Sequence, residues 1–146
     1  MFDRILVVCV GNICRSPYGE RVLRQRLPSK KVDSAGIGAE KSGLVGKSAD
    51  PAAIEVSQGL GVDLSDHRSQ QLTPSLCAQY DLILVMEKGH IEALTEIAPE
   101  ARGKTMLFGE WIGRKDIPDP YRQSKEAFDY VYQLIDQSAD AWAEKL

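Results

Sequence analysis

The sequence predicts an α/β fold: a single domain over residues 1–146, built on an open parallel sheet of four strands with helices on both faces. Three observations predict it. The runs Ile5–Val10 and Asp81–Met86 are apolar almost throughout and do not alternate, as expected of strands buried on both faces. Segments of helical periodicity separate these runs from two shorter strand-like stretches, the order that produces parallel pairing. The length of 146 residues fits one domain and leaves no room for two ordinary ones.

The elements follow in order. After the first strand, Ser16-Pro17 opens a helix, with proline in the first turn where its missing N–H is harmless. Tyr18, Val22 and Leu23 recur at helical spacing until Pro28 ends it. Lys31–Ala35 reads as a short second strand, followed by a flexible Gly/Ser-rich loop from Gly36 to Ser48. Asp50-Pro51 caps the next helix, which holds Ile54 and closes near Gly59 or Gly61. Thr73-Pro74 repeats the cap for a helix reaching about Tyr80, and Asp81–Met86 is the third strand. Ile91, Leu94 and Ala98 mark a helix closed by Pro99, and Lys104–Phe108 is a shorter fourth strand. Beyond a loop over 109–123, Phe128, Val131, Ile135 and Trp142 give the last helix one apolar face. No internal repeat or low-complexity tract interrupts the pattern.

Composition narrows the function classes. With 43% hydrophobic and 27% charged residues the chain can bury a core, and no apolar run approaches the roughly 18 residues of a membrane span. The N-terminal residues lack the basic start and cleavage site of a signal peptide, so the expected location is the cytoplasm, without membrane insertion. Three cysteines are too few for a disulfide framework and are expected as free thiols there. Residues 1–47 hold nine Lys+Arg against four Asp+Glu, and the remainder nine against seventeen. A basic front on an acidic body suggests an anion handled near the N-terminal segment. Nucleic acid is not expected as a partner, because the chain is acidic overall and has no basic run.

In open parallel sheets, ligands bind beyond the carboxyl ends of the strands, where the winding reverses. The segment after the first strand is Cys9-Val10-Gly11-Asn12-Ile13-Cys14-Arg15-Ser16. Successive N–H groups in such a turn converge into an anion nest, and the helix that follows adds its unpaired donors and positive end. Gly11 and Asn12 tolerate the left-handed dihedrals of a tight cradle. Arg15 supplies a planar fork for two phosphoryl oxygens. Cys9, at the strand end, faces the same focus, where the field favours the nucleophilic thiolate. A sulfur beneath a phosphate cradle formed by Val10 to Ser16 points to covalent phosphoryl transfer. The Cys-x5-Arg spacing alone arises often by chance. The preceding apolar strand, the Gly-Asn pair, the Ser after Arg15 and the Ser-Pro helix start make it specific. The loop lacks the Gly-Lys-Ser/Thr ending of nucleotide-binding loops.

Cleaving a phosphate ester also needs a proton for the departing oxygen, and the cradle contains no donor. Asp119, pinned in Ile117-Pro118-Asp119-Pro120-Tyr121-Arg122 on the same side of the sheet, is the candidate. By itself an Asp between prolines reads as a turn residue; only its pairing with Cys9 gives it a catalytic role.

Over essentially its whole length the chain resembles the low-molecular-weight protein tyrosine phosphatases. Val8–Pro17 and Asp119-Pro120-Tyr121 stand in that family's order and spacing. The resemblance implies Cys9 as nucleophile, Arg15 as phosphate ligand and Asp119 as acid, then base. It further implies that Ser16 donates to the Cys9 sulfur and that Ser34 and His67 hold Asn12. It implies no cofactor and no metal. Residues 35–53 carry no aromatic, and Arg122 follows Tyr121. With Met86-Glu87-Lys88 and Met106-Leu107-Phe108-Gly109, these features are similar to the bacterial branch paired with capsule and exopolysaccharide tyrosine kinases. Ile37, Leu44 and Tyr121 are then expected to flank the phosphotyrosine ring. The expected partner is a phosphotyrosine protein, the tyrosine-rich tail of a membrane-bound autokinase.

Two rivals use the same loop. An arsenate reductase would need two further cysteines near the third strand, where only Cys77 stands, and it would not need Asp119. A non-catalytic anion-binding module would have no use for Cys9 and Asp119 together. Cys14, in the same loop as Cys9, is positioned to form a disulfide with it under oxidation.

Overall fold

The computed structural model describes residues 2–146. Its elements are β1 (Arg4–Cys9), α1 (Arg15–Arg26), β2 (Lys31–Gly36), α2 (Pro51–Gly59) and α3 (Pro74–Cys77). They continue with β3 (Leu82–Val85), α4 (Lys88–Ile97), a 3₁₀ segment (Pro99–Lys104), β4 (Thr105–Leu107) and α5 (Lys125–Lys145). The four strands form one parallel sheet in the order β2-β1-β3-β4. The winding therefore reverses at β1, and the loop following Cys9 leaves the sheet at the switch point.

Parity along β1 divides the core. Ile5, Val7 and Cys9 face α1, α2 and α5 and pack with Tyr18, Val22, Ala53, Phe128 and Ile135. Leu6 and Val8 face the other way and pack with Leu72, Cys77, Tyr80, Leu94 and Ala98. Two-sided burial is the reason these strands show no alternation of apolar and polar residues.

Caps set the helix starts. Asp50 accepts from Ala52 N at 3.0 Å, Thr73 from Leu76 N at 3.0 Å and Ser124 from Ala127 N at 3.2 Å. α1 differs: its N-cap is Cys14, with no side-chain cap, which leaves its first N–H groups facing the loop.

The structure corrects several boundaries. Val10 belongs to the loop rather than the first strand, since its carbonyl accepts from Gly38 N while its side chain is exposed. The helix expected from Thr73 to Tyr80 has only four helical residues, after which Tyr80 N returns to Cys77 O at 3.2 Å. Pro99 does not simply end a helix, because it starts the 3₁₀ segment leading into β4. The stretch from Gly36 to Ser48 is a series of tied turns. Leu44 N bonds to Ala39 O, Gly46 N to Ser69 O and Glu40 N to Gln71 Oε1.

Candidate active site

The loop from Cys9 to Arg15 is held from below by its own side chains. Asn12 takes a left-handed conformation, φ 58°, which its short polar side chain repays with three hydrogen bonds. Its Nδ2 donates to Ser16 Oγ at 2.7 Å and Ser34 Oγ at 3.0 Å, and its Oδ1 accepts from Gln70 N at 3.0 Å. The network runs on through Ser34 Oγ, which donates to Glu20 Oε1 at 2.9 Å. Backbone carbonyls are held too, Gly11 O by Ser69 Oγ at 2.9 Å and Asn12 O by His67 Nε2 at 2.7 Å. With these carbonyls turned outward into partners, the loop's amides are left to face its interior.

Close approach requires a glycine at Gly36 and leaves little room at Gly11. A Cβ on Gly36 would lie 2.6 Å from Val10 O, and one on Gly11 would lie 3.0 Å from Leu44 Cδ1. β2 thus presses directly against the loop, and Leu44 closes over it.

Cys9 is buried at the floor. Its Sγ lies 3.0 Å from Ser16 Oγ and accepts from Ser16 N at 3.4 Å, so the first turn of α1 points at the sulfur. Above it is a cavity of about 190 Å³ lined by Cys9 to Gly11, Ile13 to Arg15, Ser42, Leu44, Asp119 and Tyr121. Arg15 is 2% exposed, and its Nη1 donates to Glu87 Oε2 at 2.5 Å and to Ile117 O at 2.7 Å. Two acceptors on one nitrogen fix the plane of the guanidinium. Asp119 stands at the rim, half exposed, with Oδ2 3.9 Å from Arg15 Nη2. Its Oδ1 accepts from Tyr121 N at 3.0 Å, an Asx turn between the two prolines that leaves Oδ2 toward Arg15.

The expected site residues are thus sorted by position. Cys9, Val10, Gly11, Ile13, Cys14, Arg15, Leu44, Asp119 and Tyr121 line one cavity, and Asn12, Ser16, Ser34 and His67 lie beneath it. Ile37 does not join them: it packs against the core on the Leu6–Val8 side. Burial, followed by the charges of Cys9, Asp50 and Asp119, pushes the Cys14 thiol well above its ordinary range. Cys77 is packed in the second core, away from the cavity. Glu87, Gln70, Ser42 and the Ile117 carbonyl were missed by the sequence reading.

The basic front has a second explanation besides the anion. Arg21 pairs with Glu20 and Asp66, Arg24 with Glu20 and Asp33, and Arg26 with Asp136 and Asp140. Arg21 and Arg26 thus meet acids from beyond residue 47, the partners of Arg24 lie within the basic segment itself, and Arg15 is the arginine that reaches the cavity.

Burial holds both histidines below the ordinary imidazole value of 6.5. Below that pH the unfolded chain binds protons that the folded one resists. Stability is therefore full above 6.5 and is lost as pH falls through the folded values. His67 is the one that donates to the loop. Urea midpoints measured between about pH 8 and pH 5 should fall toward acid, and His67→Gln should flatten that slope. An unchanged slope in the variant would remove His67 from the linkage.

Among the described residues no group of three or more His, Cys, Asp or Glu is arranged to hold a metal ion, and no helix is long and apolar enough to cross a membrane. The model of the family described as "Low molecular weight phosphotyrosine protein phosphatase" matches residues 4–146. The chain is 56% identical to the low molecular weight protein-tyrosine-phosphatase Wzb of Salmonella typhimurium, covering 100% of this chain and 95% of that one. Among solved structures it is similar to Vibrio vulnificus Wzb in complex with benzylphosphonate, at 73% identity and a TM-score of 0.98 with both chains covered in full. Wzb from Escherichia coli K30 in complex with sulphate matches at 60% identity and a TM-score of 0.95, covering 99% of each chain. With a parallel sheet that places a Cys-x5-Arg loop opposite an Asp-Pro-Tyr turn, and with relatives matched from end to end, the chain belongs to the low molecular weight phosphotyrosine protein phosphatase family, in its bacterial capsule and exopolysaccharide branch.

Proposed function

We propose that this tyrosine phosphatase works through a phosphocysteine on Cys9, with Asp119 as general acid and then general base. One observation carries the reading: a sulfur held by Ser16 Oγ at 3.0 Å and Ser16 N at 3.4 Å lies under a cavity walled by Arg15 and Asp119. In the first step Cys9 Sγ attacks phosphorus and the bond from phosphorus to the tyrosyl oxygen breaks. Asp119 Oδ2 protonates that oxygen as it leaves. Loop N–H groups and Arg15 hold the three equatorial oxygens, where charge is greatest in the transition state. In the second step Asp119, now a carboxylate, takes a proton from water as its oxygen attacks phosphorus. The S–P electron pair returns to sulfur, and Ser16 Oγ–H donates to the departing thiolate. Inorganic phosphate is released.

The Vibrio vulnificus relative is described with benzylphosphonate, an aryl group on a tetrahedral anion, which has the parts of a phosphotyrosine head. In this chain Leu44 and Tyr121 line the cavity and suit the ring, while Val10 and Tyr121 stay exposed at its mouth. The substrate is the tyrosine-rich tail of a membrane-bound autokinase, reached in the cytoplasm. Acid quenching during turnover should leave one phosphoryl group on the peptide containing Cys9; finding it on no cysteine would overturn the intermediate. Deleting the gene should raise phosphotyrosine on that kinase, and an unchanged level would overturn the partner.

A further inference from the structure

Arg15 reaches the cavity with one end of its guanidinium already engaged, since Nη1 is shared between Glu87 Oε2 and Ile117 O. The Ile117 carbonyl is fixed by the backbone. Glu87 is not: it is the N-cap of α4, makes no capping bond with its side chain and is about one-third exposed. Besides Arg15 itself, a neighbour can help to keep that carboxylate turned inward.

The neighbour in place to do so is His90, one turn into α4. Its backbone N–H bonds to Glu87 O at 3.0 Å, and its ring Nε2 lies 3.6 Å from Glu87 Oε2, the oxygen that accepts from Arg15. The ring is 12% exposed. Its Nδ1 is buried and has no hydrogen-bond partner among the described residues. The carboxylate facing Nε2 selects the tautomer. A proton on Nδ1 would turn the Nε2 lone pair toward an anion. A proton on Nε2 instead directs an N–H dipole at the carboxylate and leaves only a lone pair unmatched.

Building on the reading of Arg15 as the phosphoryl ligand, we propose that His90 is a positioning residue. It holds Glu87 against Arg15 and thereby sets the plane in which Arg15 meets the substrate's phosphoryl oxygens. The role needs a neutral ring. An imidazolium would compete with Arg15 for the same carboxylate oxygen. Burial and the positive charge of Arg15 oppose protonation of the ring, while Glu87, Asp116 and Asp119 favour it. Lys88, beside Asp116, adds a further positive charge at the start of α4.

The test compares His90→Gln, which retains an N–H near the position of Nε2, with His90→Leu, which retains bulk alone, and His90→Asn, whose amide is too short to reach Glu87. Turnover of p-nitrophenyl phosphate is followed across pH, and binding of inorganic phosphate is measured directly by calorimetry. His90→Leu and His90→Asn should lose about 5- to 30-fold in kcat/KM, with phosphate binding weakened in parallel and the acid limb of the profile displaced. His90→Gln should stay within about threefold of wild type. Equal losses in all three variants, or none in any of them, would overturn the proposal. If His90→Leu fails to fold, the contrast of Gln with Asn decides by the same criteria. The calorimetry keeps the two readings apart. A wild type without turnover refutes the phosphatase mechanism, whereas phosphate affinity unmoved by Leu and Asn refutes the role of His90.

Discussion

Cys9→Ser is expected to lower turnover of aryl phosphates by on the order of 10⁴-fold or more, about 5.4 kcal/mol of transition-state stabilisation, with oxyanion binding largely retained. The two effects separate because they rest on different atoms. Binding uses the N–H groups of the loop and Arg15, and the carbonyls that hold the loop open bond to Gly38, His67 and Ser69 rather than to Cys9. A serine oxygen fits at the same floor, where Ser16 Oγ and N already converge. It cannot attack effectively, since a hydroxyl at neutral pH needs a base, and the groups nearest Cys9 Sγ, the Ser16 hydroxyl and N–H, are not bases. Steady-state kinetics with phosphate calorimetry on the same preparation checks both halves. Activity within about tenfold of wild type would remove Cys9 as nucleophile. Lost phosphate binding would mean that the sulfur itself shapes the cradle.

How much of this was legible beforehand depended on whether the signal was local. The cradle was legible because β1, the turn and the start of α1 are contiguous, so eight successive residues hold strand, nest and helix dipole together. Asp119 was legible because two prolines single out its backbone and the nucleophile creates a need for an acid. Glu87 was not. It meets Arg15 across 72 residues of sequence, and the run Met86-Glu87-Lys88, though part of the resemblance, carries nothing that links it to Arg15. The Ile117 carbonyl was beyond reach for a different reason, since a backbone acceptor carries no side-chain signal. Ile37 went to the wrong side through a neglected parity. Ala35 faces the Leu6–Val8 core, so two residues on, Ile37 points the same way. The loop it begins does reach the cavity, but through Ser42 and Leu44. The charge asymmetry misled in proportion, because ion pairs over long separations, such as Arg26 with Asp140, leave no trace in local counts.

Asp119→Ala should slow phosphate monoesters in proportion to how poor their leaving groups are, about 10²- to 10⁴-fold for phenyl or tyrosyl phosphate and far less for nitrophenyl esters. The geometry makes this sharper than for an ordinary surface aspartate. Pro118 and Pro120 restrict the backbone on both sides, and Tyr121 N occupies Oδ1, so a single oxygen is presented toward the cavity. The imidazole on the far side of Arg15 is not placed to take over. His90 lies beside Glu87, and burial together with the positive charge of Arg15 lowers its affinity for a proton. A departing phenolate must therefore leave unprotonated in the variant, and its intrinsic stability alone decides the rate. Plotting log kcat/KM against the basicity of the leaving phenol should give a shallow line for wild type and a steep one for Asp119→Ala. Parallel lines would mean that Asp119 acts only by placing Arg15, 3.9 Å away, and not by moving a proton. Asp119→Asn distinguishes these two roles again. It keeps the Asx turn and the volume while removing the acid, so it should follow Ala in slope but lie closer to wild type in phosphate affinity.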